Sequence, residues 1–439
     1  METNIAAFSN ESSSSKALYG KVIRRIIPYM FVCYLFNYLD RVNVGFAKLH
    51  MLQDIGMSEA AYGLGAGIFF IGYLVFGLPS NLMLQRIGAR RWVAIIMVLW
   101  GILSTSLMFV KTAETFYVLR FLTGAAEAGF FPGLILYFTQ WFPASIRGRV
   151  MALFMSAIPL SGVLGGPLSG WILEAFSSSP VGGMAAWQWL FVIEGVPTIL
   201  LGAGVYFILD DRVQDARWLT QEEKNVIISD LAADEAKKPS CKAEGMKQVL
   251  KNKWVWILGL IYFSFQGGVY AISFWLPTVI KSGNWGGMFM VGSITAIPYA
   301  AAALFMLFMG RSADASGERR WHLAVPMIMS AVGLAVTASA GGSSTTALLG
   351  LTIATMGAFT ALPMFWPLSS SFLSTASAVG GVAVINSIGQ VAGFASPYFV
   401  GWIKDTTHST DAAWYFLSAL TLLGALVMLL ATKKRTFRS

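Results

Sequence analysis

The sequence predicts an all-α membrane protein, with twelve transmembrane helices in two six-helix halves related by pseudo-symmetry. Three observations carry this. Of 439 residues, 56% are hydrophobic and 12% charged, where a soluble chain devotes about a quarter of its residues to charge. Twelve windows reach the roughly 20 predominantly apolar residues that a bilayer crossing needs; they begin near residues 26, 61, 92, 114, 149, 187, 254, 286, 322, 346, 380 and 411. A turn carrying Gly and a pair of Arg recurs after the second and the eighth window, the matching place in each group of six.

Taken in order, residues 1–25 are Ser-rich and end in Lys21, Arg24 and Arg25. With no small-residue cleavage site after a short apolar core, they are expected to form a flexible cytoplasmic tail before an uncleaved first span. Residues 26–209 make the first six-helix bundle, 210–253 a linker, 254–432 the second bundle and 433–439 a C-terminal tail. In the linker, Thr220-Gln221-Glu222-Glu223 is a capping box followed by Val226, Ile227 and Leu231 at near-helical spacing, which predicts a short interfacial helix. Cys33 in the first span and Cys241 in the linker build no disulfide framework.

Basic residues orient the chain. Of its 31 Lys and Arg, 25 fall in the tails, the linker and alternate loops on one side, four (Lys48, Lys111, Lys281, Lys404) on the other, and two, Arg41 and Arg120, inside spans. The positive-inside rule therefore places both termini in the cytoplasm. The net charge of +9 is read as loops facing anionic lipid headgroups of the bilayer, with no nucleic-acid partner.

Charges inside spans point to function. Tyr38-Leu39-Asp40-Arg41 sits in the first apolar run, and Arg120 and Glu127 in the fourth. A charge at the bilayer centre costs about 2.5–3.5 kcal/mol on insertion scales, so such residues usually face a water-filled path. Arg120 and Glu127 are seven apart, roughly 20° short of two helical turns, and so share a face. Four charges cost too much for a structural lock that two would make. Arginine offers a permanently charged planar fork that matches a carboxylate, which makes Arg41 and Arg120 candidates for substrate-anion binding. A buried carboxylate that exchanges its cationic partner loads and unloads a proton, which makes Asp40 and Glu127 candidates for proton coupling.

The repeated turn carries a family resemblance. Gly310, Asp314, Gly317, Arg319 and Arg320 fit the Gly-x-x-x-Asp-Arg-x-Gly-Arg-Arg loop of the major facilitator superfamily. The first copy, with Arg86, Gly88 and Arg90, departs from it by placing Gln85 and Asn81 where the acid and the first Gly are expected. Residues 37–47 are similar to the first-span signature of the anion:cation symporter group, 120–133 to its fourth and 189–195 to its sixth. The resemblance implies a secondary active transporter in a bacterial inner membrane that imports an organic anion (a sugar acid, tartrate or an aromatic carboxylate) together with protons. It assigns Asp40, Arg41, Arg120 and Glu127 the same roles, and the expected working unit is a monomer.

Weaker candidates complete the cavity: Tyr38 and Tyr73 with their hydroxyls, Gln266 in the seventh span, Trp366 and Ser370 in the tenth, and Asn386 in the eleventh. The resemblance raises Trp366 and Asn386 as substrate-hydroxyl contacts, while Glu194 in the sixth span is read as structural. The Gly162–Gly170 stretch and the Gly389, Gly393, Pro397, Gly401 rhythm are expected at the sliding surface between halves. An enzyme is not expected, since His50, His322 and His408 fall at span ends or loops, and no P-loop for an ATP-driven pump occurs. No cofactor or metal is called for. A non-transporting sensor on the same fold remains an alternative.

Overall fold

A computed structural model describes residues 2–178, 182–237, 245–373 and 375–432, with side chains described except at 2–16, 178, 237 and 375–379; Cys241, the tail 433–439 and the side chain of Lys16 lie outside what is described. Ten helical stretches are long and apolar enough to cross a membrane. Two further long helical stretches, Glu2–Val42 continued by Val44–Ile55 and Thr375–Thr407, stand at the expected first and eleventh places and are consistent with twelve spans. The N-terminal half also contains Glu59–Ile87, Ala89–Phe109, Ala113–Trp141, Ala144–Ser177 and Ala186–Ile208 as spans two to six. The C-terminal half contains Lys253–Ser282, Met288–Ser316, Arg320–Ala338, Ser344–Ser370 and Asp411–Thr432 as spans seven to ten and twelve.

The stretch expected to be a flexible tail is instead helical from Glu2. The reason is visible at Leu18, Tyr19, Val22 and Ile26, whose helical spacing buries them. They face the linker helix, Gln221–Lys237, where the Tyr19 hydroxyl donates to Asp230 at 2.7 Å and Lys21 pairs with Glu223 at 2.7 Å. The capping box is formed at the start of that helix: Glu223 N–H donates to Thr220 Oγ1 at 3.2 Å, and Thr220 N–H to the Glu223 carboxylate at 2.8 Å.

The start of the first span, the linker helix and the described end of the last span at Thr432 share one face of the bundle, here the terminal face; the opposite is the far face. The halves meet where span five packs on span eight and span two on span eleven. Contact there is backbone to backbone: a Cβ on Gly292 would lie 2.1 Å from the Gly166 carbonyl oxygen, so glycine is required for this approach. The bonds joining the halves gather at mid-depth and toward the far face. Tyr62 hydroxyl donates to Phe274 O at 3.2 Å, Lys281 to Leu49 O at 2.8 Å, and the N–H groups of Glu59 and Ala60 to Asp405 at 3.1 and 2.8 Å.

Candidate functional site

The first span is interrupted at Asn43, between Val42 and Val44, one turn past its two charged residues. The fourth breaks at Ala128–Gly129, next to Glu127. Glu127 meets the first span beside this break: Arg41 Nη2 forms an ion pair and hydrogen bond with Glu127 Oε1. Arg41 sits among rings, 5.9, 5.3 and 5.7 Å from the centres of Tyr38, Phe69 and Tyr73. Its remaining side faces the hydroxyl of Tyr270 on the seventh span, which also faces Gln266. The structure thus brings Arg41, Glu127, Tyr38, Tyr73 and Gln266 to one place at mid-depth, between the halves. Tyr38 completes the crossing by approaching Ser273 Oγ at 3.5 Å.

Asp40 points elsewhere. Its carboxylate accepts from Trp100 Nε1 at 3.1 Å, Ser104 Oγ at 3.2 Å and Thr198 Oγ1 at 2.7 Å, all within the N-terminal half. Successive helical residues diverge by about 100°, enough to turn Asp40 into the bundle while Arg41 faces the other half.

Arg120 lies toward the far face from Glu127. It is 0% exposed, stacks 4.7 Å from the Phe69 ring centre and gives only a long 3.5 Å bond to Ala66 O. Its Nε and Nη1 have no partner. A buried guanidinium with free donors is the most costly kind of polar group to leave unmatched, and its fork suits a carboxylate.

The other candidates separate. Trp366 packs on Tyr262 with ring centres 5.2 Å apart, and Tyr262 in turn touches the eleventh span at Gly389, one turn from the half-buried Asn386. Ser370 ends the tenth span, exposed, with its hydroxyl donating to Pro367 O at 2.9 Å, away from Arg41. In the loop motif, Gly88 and Gly317 both take positive φ (93° and 66°). The charges of the motif stay within their own halves: Arg90 stacks 4.8 Å from the Tyr206 ring centre while its N–H donates to Asp211 at 3.1 Å, and Arg319 pairs with Asp314 at 3.1 Å. Arg86 is exposed.

A second charged cluster escaped the sequence reading. Lys48, counted above as a loop residue, is buried and pairs with Glu59 at 2.6 Å; Lys404 pairs with the same carboxylate at 2.5 Å. The Lys48 ammonium also sits 3.3 Å from the Trp275 ring centre. Spans one, two, seven and eleven are thereby tied together at the far face. Lys48 falls seven residues after Arg41 in the same apolar stretch, but the interruption at Asn43 breaks the two-turn register between them.

Comparison with known proteins agrees with this architecture. The chain is 44% identical over 426 residues, 97% of each protein, to the putative metabolite transport protein NicT of Pseudomonas putida. It is 43% identical to a putative tartrate transporter of Agrobacterium vitis, covering 94% of this chain and 91% of that one. A partially occluded, inward-open structure of the xylose transporter XylE from E. coli superposes with a TM-score of 0.72 at 16% identity, over 94% and 99% of the two chains; at that identity the likeness concerns the fold. Residues 30–397 match the family description Major Facilitator Superfamily. Twelve spans in two halves, paired charges at mid-depth and a match over most of its length together make this chain a membrane transporter that belongs to the Major Facilitator Superfamily.

Proposed function

We propose that the protein imports an organic carboxylate (a sugar acid, tartrate or a similar hydroxy acid) by proton symport through alternating access. The observation that supports this most is the Arg41–Glu127 pair at mid-depth beside an Arg120 with free donors. A guanidinium neutralised by an internal carboxylate is closed to a substrate carboxylate. A proton on Glu127 removes that competitor, so the anion and the proton enter the site together; loss of the proton returns Glu127 to Arg41 and expels the anion. Arg120, nearer the far face, is the first fork an anion meets when that face opens. Asp40 serves as the second acid, held inside the N-terminal half. Tyr38, Tyr73, Gln266 and Asn386 supply hydroxyl and amide groups for a hydroxylated substrate.

In this reading the terminal face is cytoplasmic, the membrane is the bacterial inner membrane, a single chain is the working unit, and the closed far face faces outward. Residues 26–209 and 254–432 rock about their contact, with 210–253 as tether. A second reading, an aromatic carboxylate, is favoured by the rings of Tyr38, Phe69 and Tyr73 around Arg41.

Proteoliposomes loaded with a pH-sensitive dye test the proposal. Adding tartrate, gluconate or benzoate outside is expected to acidify the lumen for at least one class. A protein that binds one of them with no proton movement and no uptake is a sensor and contradicts the proposal.

A further inference from the structure

The two surfaces on which the halves pack end at the far face in the same arrangement, built once by each half. On span five, Gly170 is followed four residues later by Glu174; on span eleven, Gly401 is followed four residues later by Asp405. A Cβ on Gly170 would overlap the carbonyl oxygen of Met288, and one on Gly401 would overlap that of Glu59. Met288 and Glu59 are the first residues of spans eight and two. One turn deeper the match repeats, with Gly292 against the Gly166 carbonyl and Gly63 against the Pro397 carbonyl. In both places, glycine lets a helix of one half lie against the first turn of a helix of the other.

The acid that follows meets the amide groups at that first turn. A helix leaves its first N–H groups without intrahelical partners and carries partial positive charge at that end. Glu174 Oε2 accepts from Phe289 N–H at 2.8 Å, and the two oxygens of Asp405 accept from Glu59 and Ala60 N–H at 3.1 and 2.8 Å. Phe289 and Ala60 are each the second residue of their span. The residues preceding the two helices do not serve these groups. Span eight starts after Gly287, which has no side chain, and before span two Ser58 Oγ accepts from Ala61 N–H at 3.1 Å. Each N-terminus is therefore completed by a carboxylate of the opposite half. Glu174 and Asp405 are both exposed, so replacing either removes no buried packing from its own bundle.

We propose that Glu174 and Asp405 are a matched pair of closing residues. The far face shuts when each half docks a helix N-terminus on the Gly-x-x-x-acid segment of the other, and it opens by uncapping both. Each cap exists only while the halves touch at the far face, so each shifts the population toward the closed arrangement. The inference rests on the alternating-access part of the transport reading and not on proton coupling.

The test is pulsed electron resonance on the full chain in lipid nanodiscs, with Cys33 and Cys241 replaced. Spin labels go at two exposed positions, Lys111 just before span four and Thr345 at the start of span ten. Glu174→Ala and Asp405→Ala are each expected to raise the ratio of long to short distances about 5-fold, the worth of a typical N-cap. The double variant is expected to raise it about 25-fold, because the two corners share no partner. Glu174→Gln and Asp405→Asn keep an oxygen that accepts from the amides and are expected to retain most of the closed population. Hydrogen exchange at residues 288–291 and 59–62 is expected to quicken in the matching alanine variant. Unchanged distances in either alanine variant overturn the proposal, as does a wild type with no short-distance population. Amide variants that open as far as the alanine variants assign the effect to charge rather than capping and also overturn it. Transport is not measured, so failure here leaves proton symport standing, and failed uptake in proteoliposomes leaves these distances to be read on their own.

Discussion

Asp40 and Arg41 are consecutive in the chain and share no partner. Arg41 holds Glu127 between the halves, whereas Asp40 accepts from Trp100, Ser104 and Thr198 inside one half. The first span therefore divides its two charges: the cation faces the interface between the halves and the acid is held inside the bundle behind it.

That division predicts unequal effects on stability. Asp40→Asn turns an amide N–H₂ toward donors that need an acceptor, and an unsatisfied buried donor costs about 1–3 kcal/mol. Thermal unfolding without ligand is expected to show a lowered Tm for Asp40→Asn and a larger fall for Glu127→Gln, which leaves the Arg41 guanidinium without its countercharge. Equal Tm values for Asp40→Asn and wild type would count against the anchoring role.

Arg120 presents buried, unpartnered donors whose planar fork suits a carboxylate. Arg120→Lys keeps the charge and loses the fork. A charge-assisted hydrogen bond is worth about 1.5–3 kcal/mol, so initial uptake of radiolabelled substrate at low concentration is expected to fall roughly 10- to 100-fold.

At the far face, Glu59 is shared by Lys48 and Lys404. Glu59→Gln leaves two ammonium groups without a countercharge, a penalty of about 1–3 kcal/mol that shifts populations about 5- to 150-fold toward states open there. Spin labels at the exposed positions Gln53 and Thr407, with Cys33 and Cys241 replaced, are expected to report longer distances by pulsed electron resonance in the variant.

The linker is fastened by charge outside the membrane. The hydrogen bond from Lys21 holds the Glu223 carboxyl below its ordinary range. A depressed acid stabilises the folded state above its unfolded pKa, near 4.3, and that contribution is lost as pH falls through the folded value. Both side chains are partly exposed, so Lys21→Ala is expected to loosen the linker helix by at most about 1 kcal/mol at neutral pH. The difference should begin to shrink as pH falls below about 4.3 and vanish only below the depressed folded value. Hydrogen exchange of residues 221–237 measures it.

The helical membrane fold and the intramembrane charges Arg41, Arg120 and Glu127 were legible in the sequence, because apolar length and charge in a bilayer are strong constraints. The direction of Asp40 was not, since periodicity gives angles around one helix and not the position of its neighbours. The break at Ala128–Gly129 lies four residues before Pro132, which has no N–H to give the Ala128 carbonyl, whereas the break at Asn43 has no Pro after it within a turn. Tyr270 reads as another ring in an apolar span, and its place beside Arg41 and Gln266 depends on how the halves dock. Lys48 and Glu59 read as loop charges because each lies near a span end; burial came from Trp275 and Lys404, more than 200 residues away in the chain.

The most direct test of the central claim is accumulation by proteoliposomes containing Glu127→Gln, measured with an imposed proton gradient and, separately, as exchange of labelled for unlabelled substrate. The account predicts that proton-driven accumulation collapses to the external concentration while exchange continues. Normal accumulation against a gradient by Glu127→Gln would contradict it.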